Sequence, residues 1–282
     1  MKALVVSNCA TSTYVSGLKL LFPDADVRGA MVSVAKKWLD EPGHAFQMFV
    51  GEADAIITME PDWFGARGDK VIAVPPFIFR GLHPDAFNLS TPSVLAAGSL
   101  FSRIATVAFI NGKTAAEACR FFDPGVYQAI GYLSAYDADR QTVQAKFKSV
   151  GIEIGDLFPA WEATGNFLYH PNHPKVRVLA DILCRALTGR LIEAKDAPAA
   201  QEKLRRMDDQ LEEFGSWPVY PGMGRPHDVA ESLTWVTAKA AGTEKLPLET
   251  AVARTYDLLG KQANLNPSRI PGYELARAAL TS

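Results

Sequence analysis

The stretch Ala3-Leu4-Val5-Val6-Ser7-Asn8-Cys9 decides the fold. Its four consecutive apolar residues, two of them β-branched, read as a strand buried on both faces, the pattern of a parallel sheet. The run stops at Ser7-Asn8-Cys9, after which Thr11, Ser12 and Thr13 each offer a helix cap. The helix that follows is expected to present Val15, Leu18, Leu21 and Phe22 on one face and to end at Phe22-Pro23. Working outward, residues 26–32 read as a second strand. Residues 34–39 and 45–50 form short helices broken at Pro42-Gly43, residues 54–59 a third strand, and residues 70–74 a fourth, stopped by Pro75-Pro76. Strands alternating with helices imply a parallel sheet covered on both sides.

From about residue 92 helical periodicity takes over, with helices predicted over 114–122, 135–150, 175–187, 198–214, 228–241 and 248–262. Residues 195–213 are rich in charge, which marks a solvated helix. The expected architecture is α/β: a short N-terminal parallel sheet flanked by helices, of SGNH or flavodoxin-like type, then a largely helical C-terminal part. Residues 1–190 are read as the α/β catalytic core and 191–282 as a helical region packed on it.

Composition narrows the function. The 282 residues are 48% apolar and 21% charged, and 29 basic side chains meet 31 acidic ones for a formal net charge of −2. That balance excludes a strongly basic surface and with it nucleic acid as the natural partner. No apolar run approaches the roughly 20 residues of a membrane helix, and the first apolar run is too short for a secretion signal. Three cysteines (Cys9, Cys119, Cys184) do not make a disulfide framework. A soluble cytoplasmic protein is expected, for which the glycosylation pattern Asn88-Leu89-Ser90 has no use. The chain contains no GxGxxG, no P-loop and no CxxC zinc spacing.

Three segments concentrate chemistry. Ser7-Asn8-Cys9 lies at the carboxyl end of the first strand, where open α/β sheets bind ligands. A following helix offers free N–H groups and a positive dipole end, which lower a thiol's pKa and stabilise an oxyanion. Cys119 and Cys184 fall in helical patterns and are assigned to the core. The second segment, residues 77–85, places Arg80 and His83-Pro84-Asp85 in the loop after the fourth strand, where site residues collect. Arg80 suits a phosphate or carboxylate. The third, residues 166–175, holds His170-Pro171-Asn172-His173-Pro174 immediately before a helix, with Pro174 in its first turn and Asn172 or His173 at its cap. An imidazole with an ordinary pKa of about 6.5 suits general-base work.

Together these segments resemble the WcbI-type family of capsular polysaccharide biosynthesis proteins, proposed as coenzyme A-dependent acetyltransferases acting on sugars. Asn8-Cys9 matches the family's Asn-Cys-Gln motif with Ala10 in the Gln place, and His83-Pro84-Asp85 matches its His-Pro-Asp loop. Residues 167–174 match its aromatic approach to Asn-His-Pro, and Trp217-Pro218-Val219-Tyr220-Pro221 its late Trp/Pro-rich stretch. A fainter similarity to SGNH hydrolases sets Ser7-Asn8-Cys9 against their Gly-Asp-Ser, and His170-Pro171-Asn172-His173 against their Asp-x-x-His. The acid of that triad is missing from its place, leaving His83, Asp85 or a backbone carbonyl to orient His173.

The resemblance implies an O-acyltransferase. Cys9 acts as nucleophile, or its neighbourhood activates the acceptor hydroxyl. His173 is the general base, Asn8 and the N–H groups after Cys9 form an oxyanion hole, and His83 with Asp85 supports the base or binds the sugar. Coenzyme A or acetyl-CoA enters as substrate, contacted by Ser7, Arg80, Lys175 and Asn172, with no metal expected. The expected partners are a small-molecule acyl donor and a sugar acceptor, without nucleic acid or a membrane span, and a homo-oligomer is left open. The alternatives are a hydrolase using water as acceptor, a zinc protein built on His170, His173, His83 and Cys9, and a non-catalytic coenzyme A or sugar binder.

Overall fold

The computed structural model describes residues 1–89, 93, 95, 99–209, 211–224, 229–262 and 265–281. Ser90, Gln210 and Asp228, which belong to the glycosylation pattern and to two of the predicted helices, lie outside the described residues.

In chain order the first elements are β1 (Lys2–Ser7), α1 (Thr11–Leu21), β2 (Asp26–Met31), α2 (Val32–Asp40), α3 (Ala45–Glu52), β3 (Ala55–Thr58) and β4 (Val71–Ala73). The middle of the chain adds β5 (Ala86–Asn88), β6 (Leu100–Ser102), α4 (Arg103–Ile110), α5 (Ala115–Cys119), α6 (Pro124–Ala129), α7 (Ala135–Lys148) and α8 (Phe158–Glu162). Then come β7 (Leu168–His170), β8 (His173–Pro174), α9 (Val176–Leu187), α10 (Ala197–Leu204), β9 (Thr234–Val236), β10 (Lys245–Pro247), α11 (Leu248–Leu259) and α12 (Tyr273–Thr281).

By packing, the chain divides into two compact units. The first comprises residues 1–77, 142–161 and 173–211, the second residues 78–141, 162–172 and 212–282.

The first unit carries the expected parallel sheet, flanked by helices. Its four strands run in the order β2-β1-β3-β4, all parallel, with Val6 opposite both Ala30 and Thr58. The chain winds from β1 to β2 on one side and then crosses to β3 on the other, so the switch point lies between β1 and β3. β1 is central and fully buried from Ala3 to Val6, as its apolar run requires. Leu4 and Val6 join Phe49, Val50, Ile56 and Phe64 in one core cluster, with Trp38, Leu39, Phe46 and Trp63 packed around it. α1 packs against β2, α9 and α10. Its buried face is Thr11, Thr13, Tyr14, Gly17 and Leu18; of the predicted face Leu18 is buried, while Val15, Leu21 and Phe22 are only half-buried. Gly17 explains the rotation: a Cβ there would sit 2.7 Å from Leu183 and 3.0 Å from Leu204, so its bare backbone is what lets α9 and α10 approach. A fully buried carboxylate ties this layer together. Asp181 of α9 accepts from Trp161 Nε1 (2.9 Å), Gln201 Nε2 (2.7 Å) and, bidentately, Arg205 (2.7 and 2.8 Å).

The second unit is mostly helical, with two small antiparallel pairs, β5-β6 and β9-β10. Its core gathers α4, α5, α11 and α12 with Tyr127, Tyr132, Trp217, Tyr220 and Trp235. The helix predicted over 228–241 is absent from its described part, where β9 pairs Trp235 with Leu246. The apolar residues there alternate on a strand instead of following a helical stripe. The helix predicted over 198–214 ends at Leu204. Cys184 is buried as expected, whereas Cys119 is only half-buried, on the rim of the second core.

Candidate active site

β1 delivers Ser7, Asn8 and Cys9 to the carboxyl edge of the sheet beside the switch point. Met59 N–H, just past β3, bonds to Val6 C=O at 3.1 Å, so the two strands stay joined up to this edge. The turn into α1 is built by Asn8. Its Oδ1 accepts from Ala10 N–H (3.1 Å), and its carbonyl oxygen accepts from both Thr11 N–H (3.0 Å) and Thr11 Oγ1 (2.7 Å). The helix therefore starts at Thr11 behind Ala10, with no side-chain cap from Thr11, Ser12 or Thr13. The same bonds engage the N–H groups of Ala10 and Thr11, two donors expected to form an oxyanion hole. Ser7 is buried and Cys9 is a half-buried thiol that takes part in no disulfide. Burial pushes the Cys9 thiol up, against the pull of its own N–H and that of Ala10. The opposite shift was expected from the helix terminus alone. Tyr14, buried one turn into α1, is pushed up by burial and then by the charge of a Cys9 thiolate. It is a neighbour of the thiol that belongs to no motif, five residues along the chain.

His173 and Lys175 lie in the same unit as Cys9. His173 is buried, and burial alone lowers its imidazole to about 4. It does not cap α9, and Pro174 precedes the helix instead of entering it. The N-cap is Lys175, and the first N–H, that of Val176, is satisfied by the Asp209 carboxylate at 2.9 Å. Residues 206–208, directly before Asp209, line a cavity of about 280 Å³ together with Thr13, Ser16 and Leu20 of α1. One short segment thus serves both α1 and the head of α9, the two helices that follow Cys9 and His173.

Arg80, His83, Asp85, His170 and Asn172 lie in the second unit. Arg80 is exposed, while its N–H and that of Gly81 (3.1 Å) donate to the Asp139 carboxylate, whose pKa burial raises. Phe79 N–H donates to Pro171 C=O at 2.7 Å, joining the His83 loop to the His170 loop. His170 is buried, with Nδ1 2.8 Å from Asn172 Oδ1. His83 is buried, and Asp85 is fully buried with both oxygens engaged by Ile104 N–H, Tyr132 and Tyr220. Asp139, Tyr132 and Tyr220 were invisible to motif reading because their partners lie 47 to 135 residues away. Among the described residues, no group of three or more His, Cys, Asp or Glu side chains is placed to hold a metal ion. No helix among them is long and apolar enough to cross a membrane.

A four-stranded parallel sheet flanked by helices, followed by a largely helical part, defines an α/β protein, with a half-buried thiol at the carboxyl edge of its central strand. The particular family follows from sequence: residues 2–191 match the model of the polysaccharide biosynthesis enzyme WcbI, and the chain belongs to that family. No curated protein matches the chain. A solved structure of WcbI, described as a novel polysaccharide biosynthesis enzyme, is similar in fold with a TM-score of 0.64 over 99% of this chain and 98% of that one, at 14% identity. That structure is described as the native protein without a disulfide bond between coenzyme A and one of its own cysteines.

Proposed function

We propose that the chain is a coenzyme A-dependent O-acetyltransferase acting on a sugar or capsular polysaccharide precursor, on a flavodoxin-like, SGNH-related sheet. The observation that carries the reading is the position of Cys9, a half-buried thiol at the carboxyl end of the central strand beside the β1/β3 switch point. Membership of a polysaccharide biosynthesis family and the coenzyme A named with its structural relative support it.

In the proposed reaction Cys9 Sγ attacks the thioester carbonyl while His173 takes the thiol proton. The C–S bond to coenzyme A then breaks, and the departing sulfur receives that proton. A sugar hydroxyl next attacks the Cys9 thioester, giving its proton to His173, which returns it to Sγ as the ester leaves. Burial lowers the His173 imidazole and raises the Cys9 thiol, which favours the neutral form of each, so in this reading proton transfer accompanies attack. Asn8, its oxygen held by Ala10, turns its amide NH2 to the acyl oxygen. The family resemblance assigns His83 to the sugar, and Ser7, Arg80, Lys175 and Asn172 to coenzyme A, the two cations suiting its phosphates.

Calorimetry with coenzyme A, acetyl-CoA and nucleotide sugars, followed by an acetyl-transfer assay with and without a sugar acceptor, tests this. Binding of coenzyme A with acceptor-dependent acetyl transfer is expected. Equal acetyl release with and without acceptor makes the chain a hydrolase, and binding without turnover makes it a binder.

A further inference from the structure

The carboxylate of Asp85 is wholly enclosed and fully committed. Oδ1 accepts from Ile104 N–H (2.9 Å) and the Tyr132 hydroxyl (2.7 Å), and Oδ2 from the Tyr220 hydroxyl (2.7 Å). Its backbone is tied as well, since the Asp85 carbonyl accepts from Arg103 N–H at 2.9 Å. The Arg103 guanidinium lies 5.3 Å from the Tyr132 ring centroid and donates to Pro84 C=O at 3.0 Å. The turn thus gripped is closed internally by His83 N–H to Arg80 C=O (2.8 Å) and Ala86 N–H to His83 C=O (3.1 Å). At its other end the Asp139 carboxylate holds Arg80 and Gly81. All of these residues lie in one unit. A carboxylate whose oxygens already take three donors has little left for a proton relay. What it does hold rigid is the residue two places before it.

We propose that Asp85 is a positioning residue and not the acid of a triad: with Tyr132, Tyr220 and Arg103 it locks the His83-Pro84 turn and so sets the orientation of the buried His83 imidazole. The proposal rests on the reading that His83 belongs to the acyl-transfer site. It assigns two tyrosines and an arginine, far apart in the chain, to the support of one histidine.

The isosteric variant Asp85→Asn separates anchoring from charge. Its Oδ1 keeps Ile104 N–H and Tyr132, and its NH2 donates to the Tyr220 oxygen, because a hydroxyl both gives and accepts. Asp85→Leu removes every acceptor. The readout is the His83 ring resonance in the full chain labelled with 13C-histidine and assigned by His83→Gln, measured beside acetyl transfer. Asp85→Asn is expected to keep one sharp His83 line and activity within about tenfold of wild type. Asp85→Leu is expected to broaden or split that line and lose roughly a hundredfold in kcat, the scale of a misplaced catalytic group. If Asp85→Leu does not fold, Tyr132→Phe and Tyr220→Phe carry the test, each expected to broaden the line. An unchanged His83 line in Asp85→Leu or in both tyrosine variants overturns the proposal. So does an Asp85→Asn protein with an unchanged line and a hundredfold loss, which would make the charge itself chemical. The ring signal reads the anchoring whether or not the chain transfers acetyl groups, so failure of the acyltransferase reading is seen separately.

Discussion

Acidification should destabilise this protein through His173 in particular. Burial holds the folded imidazole at about 4, against an ordinary value of 6.5. Between those two values the unfolded chain binds a proton that the folded protein refuses, so stability falls as pH falls through that window. At neutral pH and above both forms are unprotonated and the residue contributes no pH dependence. Below about pH 4 the loss is complete and amounts to about 3 kcal/mol, a large share of a typical domain's stability. Urea unfolding followed by tryptophan fluorescence, at pH values from about 7.5 down to about 4, measures it. The same series on His173→Gln is the control, since it shares every other titrating group. The wild type should lose about 3 kcal/mol more than the variant across the window, most of it between about pH 6.5 and 4. Two stability curves that run parallel within about 0.5 kcal/mol would refute the reasoning and show an imidazole that titrates as in water. The kinetic counterpart is an acid limb of kcat/KM near pH 4 instead of 6.5.

Cys9→Ala should reduce acetyl transfer by at least about a thousandfold while leaving thermal stability nearly unchanged, as checked by initial rates beside a melting curve. Asp181→Ala leaves Arg205 and Trp161 Nε1 without their shared acceptor and should cost about 3–5 kcal/mol in urea unfolding. A loss under about 1 kcal/mol would show that the network relaxes around the gap. Gly81→Ala places a methyl 2.5 Å from Phe79 Cζ and 2.9 Å from Tyr136 Cα, where backbone cannot give way. It should destabilise by about 1–3 kcal/mol and raise amide exchange at His83 and Ala86, both readable by hydrogen-exchange mass spectrometry.

The sheet was legible because β1, β3 and β4 are short apolar runs cut by polar turns, and the four predicted strands fall where the structure has them. α4 was not, although Arg103-Ile104-Ala105-Thr106-Val107-Ala108-Phe109-Ile110 is a regular helix. Five of its eight residues are buried, so no polar stripe marks its period. β9 was misread for a related reason: a three-residue strand around one tryptophan is too short to establish alternation. Asn8 and Cys9 were picked out correctly as a strand-to-helix turn, but the turn's hydrogen bonding was not readable, because it depends on which side-chain oxygen reaches Ala10 N–H. His173 attracted attention as an ordinary base. Its low pKa comes from burial, which no window around residues 166–175 contains. Asp85 is the sharpest case. Its place beside His83 assigned it, with that histidine, to supporting the base or binding the sugar, while its real partners, Tyr132 and Tyr220, stand 47 and 135 residues away.

Whether an acyl group passes through the thiol at the end of β1 can be read by intact-protein mass spectrometry after mixing with acetyl-CoA and quenching in acid. One added acetyl group per chain, mapped to Cys9, lost in Cys9→Ala and discharged by a sugar acceptor, is the predicted result. A chain that binds no coenzyme A and stays unmodified at Cys9 would contradict it.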